Sequence, residues 1–249
     1  MSGKIRKFGL LGQKLDYSFS KKYFEAEYHK HYSAPAEYRN HELPTADLLL
    51  PLVREQNLEG LNVTIPYKEA VIPFLDEISP EAERIGAVNT LKIARIGEQI
   101  HIKGYNTDSV GFGESVRPYV TEHCAALVLG TGGAAKTVAY VLEKYGMRVT
   151  FVSRGKGAEN CLTYDSLTAD IVSANTLIVN ATPMGTLDFG SDVALPYAGI
   201  TPRHFCMDLV YNPPTTVFME ECALRGAKVC NGLEMLHRQA EEAWKIWNS

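Results

Sequence analysis

Val128-Leu129-Gly130-Thr131-Gly132-Gly133-Ala134-Ala135-Lys136 is the stretch whose reading decides the fold. The continuous apolar run from Ala125 before it reads as a strand buried on both faces. After it comes a helix with Val138, Val141, Leu142 and Tyr145 along its inner side and Gly146 placed to end it. A G-x-G says little by itself. Between a buried strand and a helix, with another strand expected over Arg148–Ser153, it makes a dinucleotide loop. Gly130 permits the tight turn. Gly132 and Gly133 let backbone N–H groups approach a pyrophosphate at the helix N-terminus, and Ala134 belongs to the same loop. Ala135 is small enough to fit between helix and strand. The plain alternative is a glycine-rich turn that holds no nucleotide.

The end of the second strand bears on which dinucleotide is held. An NAD site usually carries Asp or Glu there, for the ribose hydroxyls. This chain reads Phe151-Val152-Ser153-Arg154-Gly155-Lys156, with no acid. Arg154 and Lys156 can pair with a 2′-phosphate and Ser153 can donate to it, which favours NADP.

Outward from the loop, strands are expected at residues 176–181, 205–210 and 228–230, with helices at 215–224 and 233–247. Toward the N-terminus, strands at 8–12, 37–42 and 61–67 alternate with a helix capped by Ser20 and one capped by Thr45. A short helix follows Ser79-Pro80, and strands at 87–91 and 99–103 flank a turn at Gly97. Thr107 or Asp108 caps a helix to about Val120, in which Gly111 and Gly113 are out of place unless something approaches closely. The fold class is α/β, with two α/β domains and a cleft between them. Residues 1–105 and the C-terminal helix 237–249 form the N-terminal substrate-binding domain, and residues 106–236 form the Rossmann-type dinucleotide-binding domain.

A second stretch, Asn62-Val63-Thr64-Ile65-Pro66-Tyr67-Lys68, brings an amide, a hydroxyl and an amine together. Its alternation puts Val63 and Ile65 on one strand face and Asn62 and Thr64 on the other, and Pro66 ends the strand. Such a strand end can hold a small polyhydroxylated molecule and move a proton on it. Read alone, it is more simply an edge strand with a surface lysine.

Composition narrows the classes. The 249 residues carry a net charge of −4, without the basic excess of a nucleic-acid binder. No apolar run reaches the roughly 18 residues that span a bilayer. Behind the basic start only Phe8 to Leu11 is apolar, too short for a signal-peptide core, so the chain is expected in the cytoplasm. Five cysteines form no C-x-x-C pair and read as small buried hydrophobes, and seven histidines form no metal motif, so no metal is expected.

Four further segments join the two stretches in order: Gly86-Ala87-Val88-Asn89-Thr90, Gly104-Tyr105-Asn106-Thr107-Asp108, Asn180-Ala181-Thr182-Pro183-Met184-Gly185 and Asn231-Gly232-Leu233-Glu234-Met235-Leu236. Together they resemble the shikimate dehydrogenase family, from about Phe8 to the C-terminus. The resemblance implies a catalytic pair at Lys68 and Asp108. It implies substrate contacts at Ser18 and Ser20 for a carboxylate, at Thr64, Asn89 and Asp108 for ring hydroxyls, and at Tyr211 and Gln239. It implies NADP on Gly130, Gly132, Gly133, Ala134, Ser153, Arg154 and Lys156, with Gly232 passing the nicotinamide. Tyr17 and Lys21 depart from the histidine and proline usual around the serine pair, and Lys136 stands where arginine is commoner.

The implied reaction is NADP-dependent interconversion of 3-dehydroshikimate and shikimate, a step of aromatic amino-acid biosynthesis. A free lysine is mostly protonated at neutral pH, and a partly buried one is a better base. The alternatives are a quinate/shikimate or related cyclic hydroxy-acid dehydrogenase using NAD or NADP, and a non-catalytic dinucleotide sensor. The partner is a small molecule, with neither nucleic acid nor membrane involved, and the protein is a monomer or homodimer.

Overall fold

The computed structural model describes residues 5–15, 20–31, 35–120, 125–155, 160–186, 189–190 and 192–249. The chain divides into two compact units, Met1–Thr107 with Gln239–Ser249, and Asp108–Arg238.

The first unit runs β1 (Arg6–Gly12), α1 (Ser20–His31), β2 (Ala36–Glu42), α2 (Leu49–Gln56), β3 (Gly60–Val63), α3 (Tyr67–Ala70), β4 (Glu77–Ile78), α4 (Pro80–Ile85), β5 (Thr90–Ile96) and β6 (Gln99–Tyr105). Its sheet has the order β2-β1-β3-β5-β6-β4. β2, β1 and β3 are parallel, and β5 runs antiparallel to both β3 and β6. The β5–β6 turn sits at Gly97, whose φ of +64° favours glycine. Ser79 accepts a hydrogen bond from the Ala82 amide and caps α4.

Two apolar groups pack this unit. Leu11, Leu49, Val53, Leu61, Val63 and Leu91 belong to one. The other is aromatic: Phe8, Phe24 and Tyr38 with Trp244 and Trp247 from the C-terminal segment. Phe24 stacks on Tyr38 at 4.4 Å and Phe8 on Trp247 at 4.8 Å between ring centres. The Trp247 indole also donates to the Leu91 carbonyl at 2.9 Å. A side chain at Gly60 would run into that indole, so β3 has glycine there.

The strand expected over 61–67 ends at Val63. All four β3 residues are buried, because β3 lies between β1 and β5 with both faces covered, so in and out do not alternate. Beyond it the chain turns, the Tyr67 amide bonding the Thr64 carbonyl at 2.9 Å, and Ile65 is left 45% exposed. Pro66 therefore precedes α3 and does not terminate the strand. Thr45 makes no capping bond, and a 3₁₀ turn over Ala46–Leu48 leads into α2.

The second unit contains α5 (Asp108–Val116), β7 (Ala125–Leu129), α6 (Gly133–Lys144), β8 (Arg148–Ser153), β9 (Cys161–Thr163), α7 (Ala169–Ala174), β10 (Leu177–Asn180), β11 (Phe205–Asp208), α8 (Val217–Ala223) and β12 (Lys228–Cys230). A last helix, α9 (Leu233–Asn248), begins in this unit and ends in the first. The sheet is parallel throughout in the order β12-β11-β10-β7-β8-β9. Counted from β7, that is the Rossmann order 3-2-1-4-5-6.

Gly146, at φ +81°, closes α6. Its amide bonds Glu143 at 2.8 Å and the Met147 amide bonds Leu142 at 3.0 Å, the pattern of a Schellman ending. α5 stops at Val116, short of the expected Val120. The Gly113 carbonyl accepts the Tyr145 hydroxyl from α6 at 3.2 Å, and a Cβ on Gly113 would be in ordinary contact with Val141 at 3.5 Å. Cys206 and Cys222 are buried and Cys161 and Cys230 partly so, all as free thiols, while Cys124 lies outside the described residues. Among the described residues, no group of three or more His, Cys, Asp or Glu could hold a metal, and no helix is long and apolar enough to cross a membrane.

Candidate active site

In the second unit the candidate cofactor residues gather at the C-terminal edge of the sheet. β7 and β10 are neighbours there, and the connections leave toward opposite sides, the switch point where doubly wound sheets bind ligands. Gly130 follows β7 at φ +107°, a conformation closed to other residues at little cost. A Cβ on it would lie 3.1 Å from the Thr182 methyl and 3.2 Å from the Ala181 carbonyl oxygen. A Cβ on Gly132 would meet nothing within 4 Å, so open space lies before the first turn of α6. Gly133 and Ala134 form that turn, and Ala135 is fully buried behind it. The residues present fit a pyrophosphate: a bare backbone at Gly132 beside open space, at the N-terminus of α6.

Ser153 is the last residue of β8 and Arg154 follows it, exposed. The Ser153 hydroxyl donates to the Gly155 carbonyl at 2.5 Å. Lys156 lies outside the described residues. Gly232 is buried, its amide bonded to the Val210 carbonyl at 3.2 Å, and a side chain there would collide with the Leu209 backbone. Tyr211 is one residue beyond that contact and half-buried. Asp108 opens α5 and is 6% exposed.

In the first unit Thr64, Lys68 and Asn89 stand on segments tied together by backbone bonds. The Val63 amide bonds the Asn89 carbonyl and the Val88 amide bonds the Lys68 carbonyl, both at 2.7 Å. Lys68 and Thr64 are half-buried. Asn89 is buried, and its side-chain oxygen accepts the Thr107 amide at 2.7 Å. Thr107 reaches Gln239 at 3.4 Å, and the Asn106 amide group donates to the Ala87 carbonyl at 2.9 Å. Ser20 is the first residue of α1; Ser18 and Tyr17 lie outside the described residues.

Sequence reasoning left Asn62 without a function, and the structure gives it one. Its side-chain oxygen accepts the Tyr38 hydroxyl at 2.8 Å, and its NH₂ donates to Thr90 at 3.2 Å. Thr90 bonds both Asn89 and Thr107, so a buried polar chain runs from Tyr38 to Gln239. An asparagine inside an apolar strand was its signal.

The model of the shikimate dehydrogenase substrate-binding domain matches residues 10–91. The shikimate dehydrogenase (NADP(+)) of Clostridium beijerinckii is 35% identical over 250 residues, covering 96% of this chain and 91% of that protein. The crystal structure of shikimate dehydrogenase from Aquifex aeolicus superposes with a TM-score of 0.86 at 31% identity, over 98% of this chain and 92% of that one. Quinate dehydrogenase from Corynebacterium glutamicum, solved in complex with NAD, gives 0.84 at 28% identity, over 98% and 93%.

Proposed function

The chain belongs to the shikimate dehydrogenase family, and from that membership we infer that it is an NADP-dependent oxidoreductase interconverting 3-dehydroshikimate and shikimate. The observation that carries the reading is the cradle at the switch point of the second unit, where Gly130 is left-handed and Gly132 faces open space. The nicotinamide, when bound, supplies or accepts the hydride. Everything else falls to side chains of this chain.

Lys68 takes the hydroxyl proton during oxidation and returns it to the forming alkoxide during reduction. Asp108 orients the lysine or the reacting hydroxyl. Thr64 and Asn89 hold ring hydroxyls, Ser18 and Ser20 hold the carboxylate, and Tyr211 and Gln239 complete the substrate contacts. Of these, Thr64, Lys68, Asn89 and Gln239 belong to the first unit, and Asp108 and Tyr211 to the second, which also carries the dinucleotide loop. Arg154 and Lys156, with no acid at the end of β8, pair with the 2′-phosphate, and Ser153 donates to it. Gly232 lets the chain pass close to the nicotinamide. The partner is a small molecule, and the working form is a monomer or homodimer.

The test follows NADPH absorbance with shikimate and quinate as separate substrates and NADP or NAD as cofactor. Shikimate with NADP is expected to be the best pair, and a preference for quinate with NAD would overturn the assignment. Lys68→Ala should lower kcat by about 10²- to 10⁴-fold, the range of general acid–base catalysis. Near wild-type turnover by a folded Lys68→Ala would remove Lys68 from the proton step.

A further inference from the structure

The Asn180–Gly185 motif has no part in the chemistry described so far, yet it belongs to a heavily bonded buried polar group of the second unit. At its centre is Asp208, the last residue of β11, with no exposed surface. One carboxylate oxygen accepts from the Asn180 NH₂ and the Val210 amide, both at 2.9 Å. The other accepts the Thr216 hydroxyl at 2.6 Å. Thr216 in turn caps α8.

Asn180 extends the arrangement to the next strand. Its NH₂ also donates to the Met184 carbonyl at 3.0 Å. Its oxygen accepts the Thr182 amide at 3.1 Å and the Thr182 hydroxyl at 2.6 Å. The turn over residues 181–185 is thereby fixed against Gly130, whose absent Cβ would be 3.1 Å from Thr182. On the other side the Val210 carbonyl accepts the Gly232 amide. The end of β10, the segment after β11 and the start of α8 meet on one carboxylate.

We propose that Asp208 and Asn180 are positioning residues for hydride transfer, holding the 181–185 turn, Tyr211 and Gly232 in register with the cradle at Gly130 without touching either ligand. The proposal rests on the dehydrogenase reading above. A carboxylate suits the position because it accepts three donors at once. An asparagine has one acceptor oxygen and would leave at least one donor unmatched. Burial nevertheless works against the charge, raising the carboxyl to about 6 despite Thr216, Val210 and Asn180. A group that costs the fold something and binds the cofactor edge together is expected where function requires the placement.

The test compares wild type, Asp208→Asn and Thr216→Val, with circular dichroism to establish folding. Asp208→Asn should lower kcat/KM for NADP by about tenfold or more, the effect of losing charged hydrogen bonds and of small misplacements at a reacting centre. Thr216→Val should move the same constant in the same direction by less. The wild-type value should fall as pH drops below about 6, the carboxyl's own range, and Asp208→Asn should flatten that limb. Cys230 on β12 is near enough to feel the Asp208 charge, but burial, Glu234 and Asp208 push its thiol up to about 12, so it stays neutral there.

Folded variants with NADP constants within twofold of wild type at every pH would overturn the proposal. If Asp208→Asn does not fold, Thr216→Val decides in the same way. If the wild type binds NADP but does not oxidise shikimate, the functional reading falls alone, and NADP affinity measured by fluorescence titration still judges the clamp.

Discussion

Asp208→Asn should change how the stability of this protein depends on pH, and by a calculable amount. In the unfolded chain the carboxyl titrates near its ordinary value of 3.8, and in the folded protein burial pushes it to about 6. The folded state therefore holds the proton more tightly, and stability falls as pH rises between these two values. Below the lower one both states are protonated and there is no penalty. Above the upper one the penalty is complete. At about 1.4 kcal/mol for each pH unit, the distance from 3.8 to about 6 amounts to about 3 kcal/mol. The lost hydrogen bonds shift the whole Asp208→Asn curve by an amount that does not depend on pH, so the comparison rests on slope. Urea unfolding of both proteins near pH 4 and near pH 7.5 measures it. Because the unfolded carboxyl is already more than half ionised at pH 4, the wild type should lose about 2 kcal/mol relative to Asp208→Asn between those conditions. A difference that stays flat, or a wild type that gains with rising pH, would refute the reasoning.

Asn62→Leu should destabilise the first unit by roughly 1–3 kcal/mol, because Tyr38 and Thr90 each lose a buried partner. A thermal melt reads this, and an unchanged midpoint would place those groups in contact with water. Arg154→Ala should weaken NADP while leaving NAD alone, by about tenfold for the loss of one charged pair to phosphate. Steady-state constants with both cofactors check it, and equal losses would mean that the residue acts on something the two share.

The second unit was legible because its signals are local. Ala125–Leu129 has no polar residue, Gly130 needs a left-handed backbone, and Gly146 ends α6 as Schellman geometry demands. The central strand of the first unit was harder. Asn62 sits among apolar neighbours in a strand covered on both sides, and a period-two reading puts it beside Thr64 on a ligand-holding face when it bonds Tyr38 and Thr90. Those partners are 24 and 28 residues away, beyond any window that counts periodicity. β9 escaped for another reason: Cys161–Thr163 is three half-buried residues at a sheet edge, too short for a pattern. Asp208 is only one polar letter after Phe-Cys-Met, and its partners Asn180 and Thr216 are brought to it by the strand order.

The division of the chain has a consequence for synthesis. Residues 108–238 form one uninterrupted unit with its own core, whereas the aromatic cluster of the first unit draws Phe8 from one end and Trp244 and Trp247 from the other. On a ribosome adding about 5–20 residues each second, the second unit emerges complete while Phe8 and Phe24 still lack their indole partners. For on the order of ten seconds that half-built face is a surface a chaperone or a protease could find. The last turns of α9 are then the closing step of folding, and a nascent chain halted before Gln239 should remain cleavable around Phe8 and Phe24 while residues 108–238 resist.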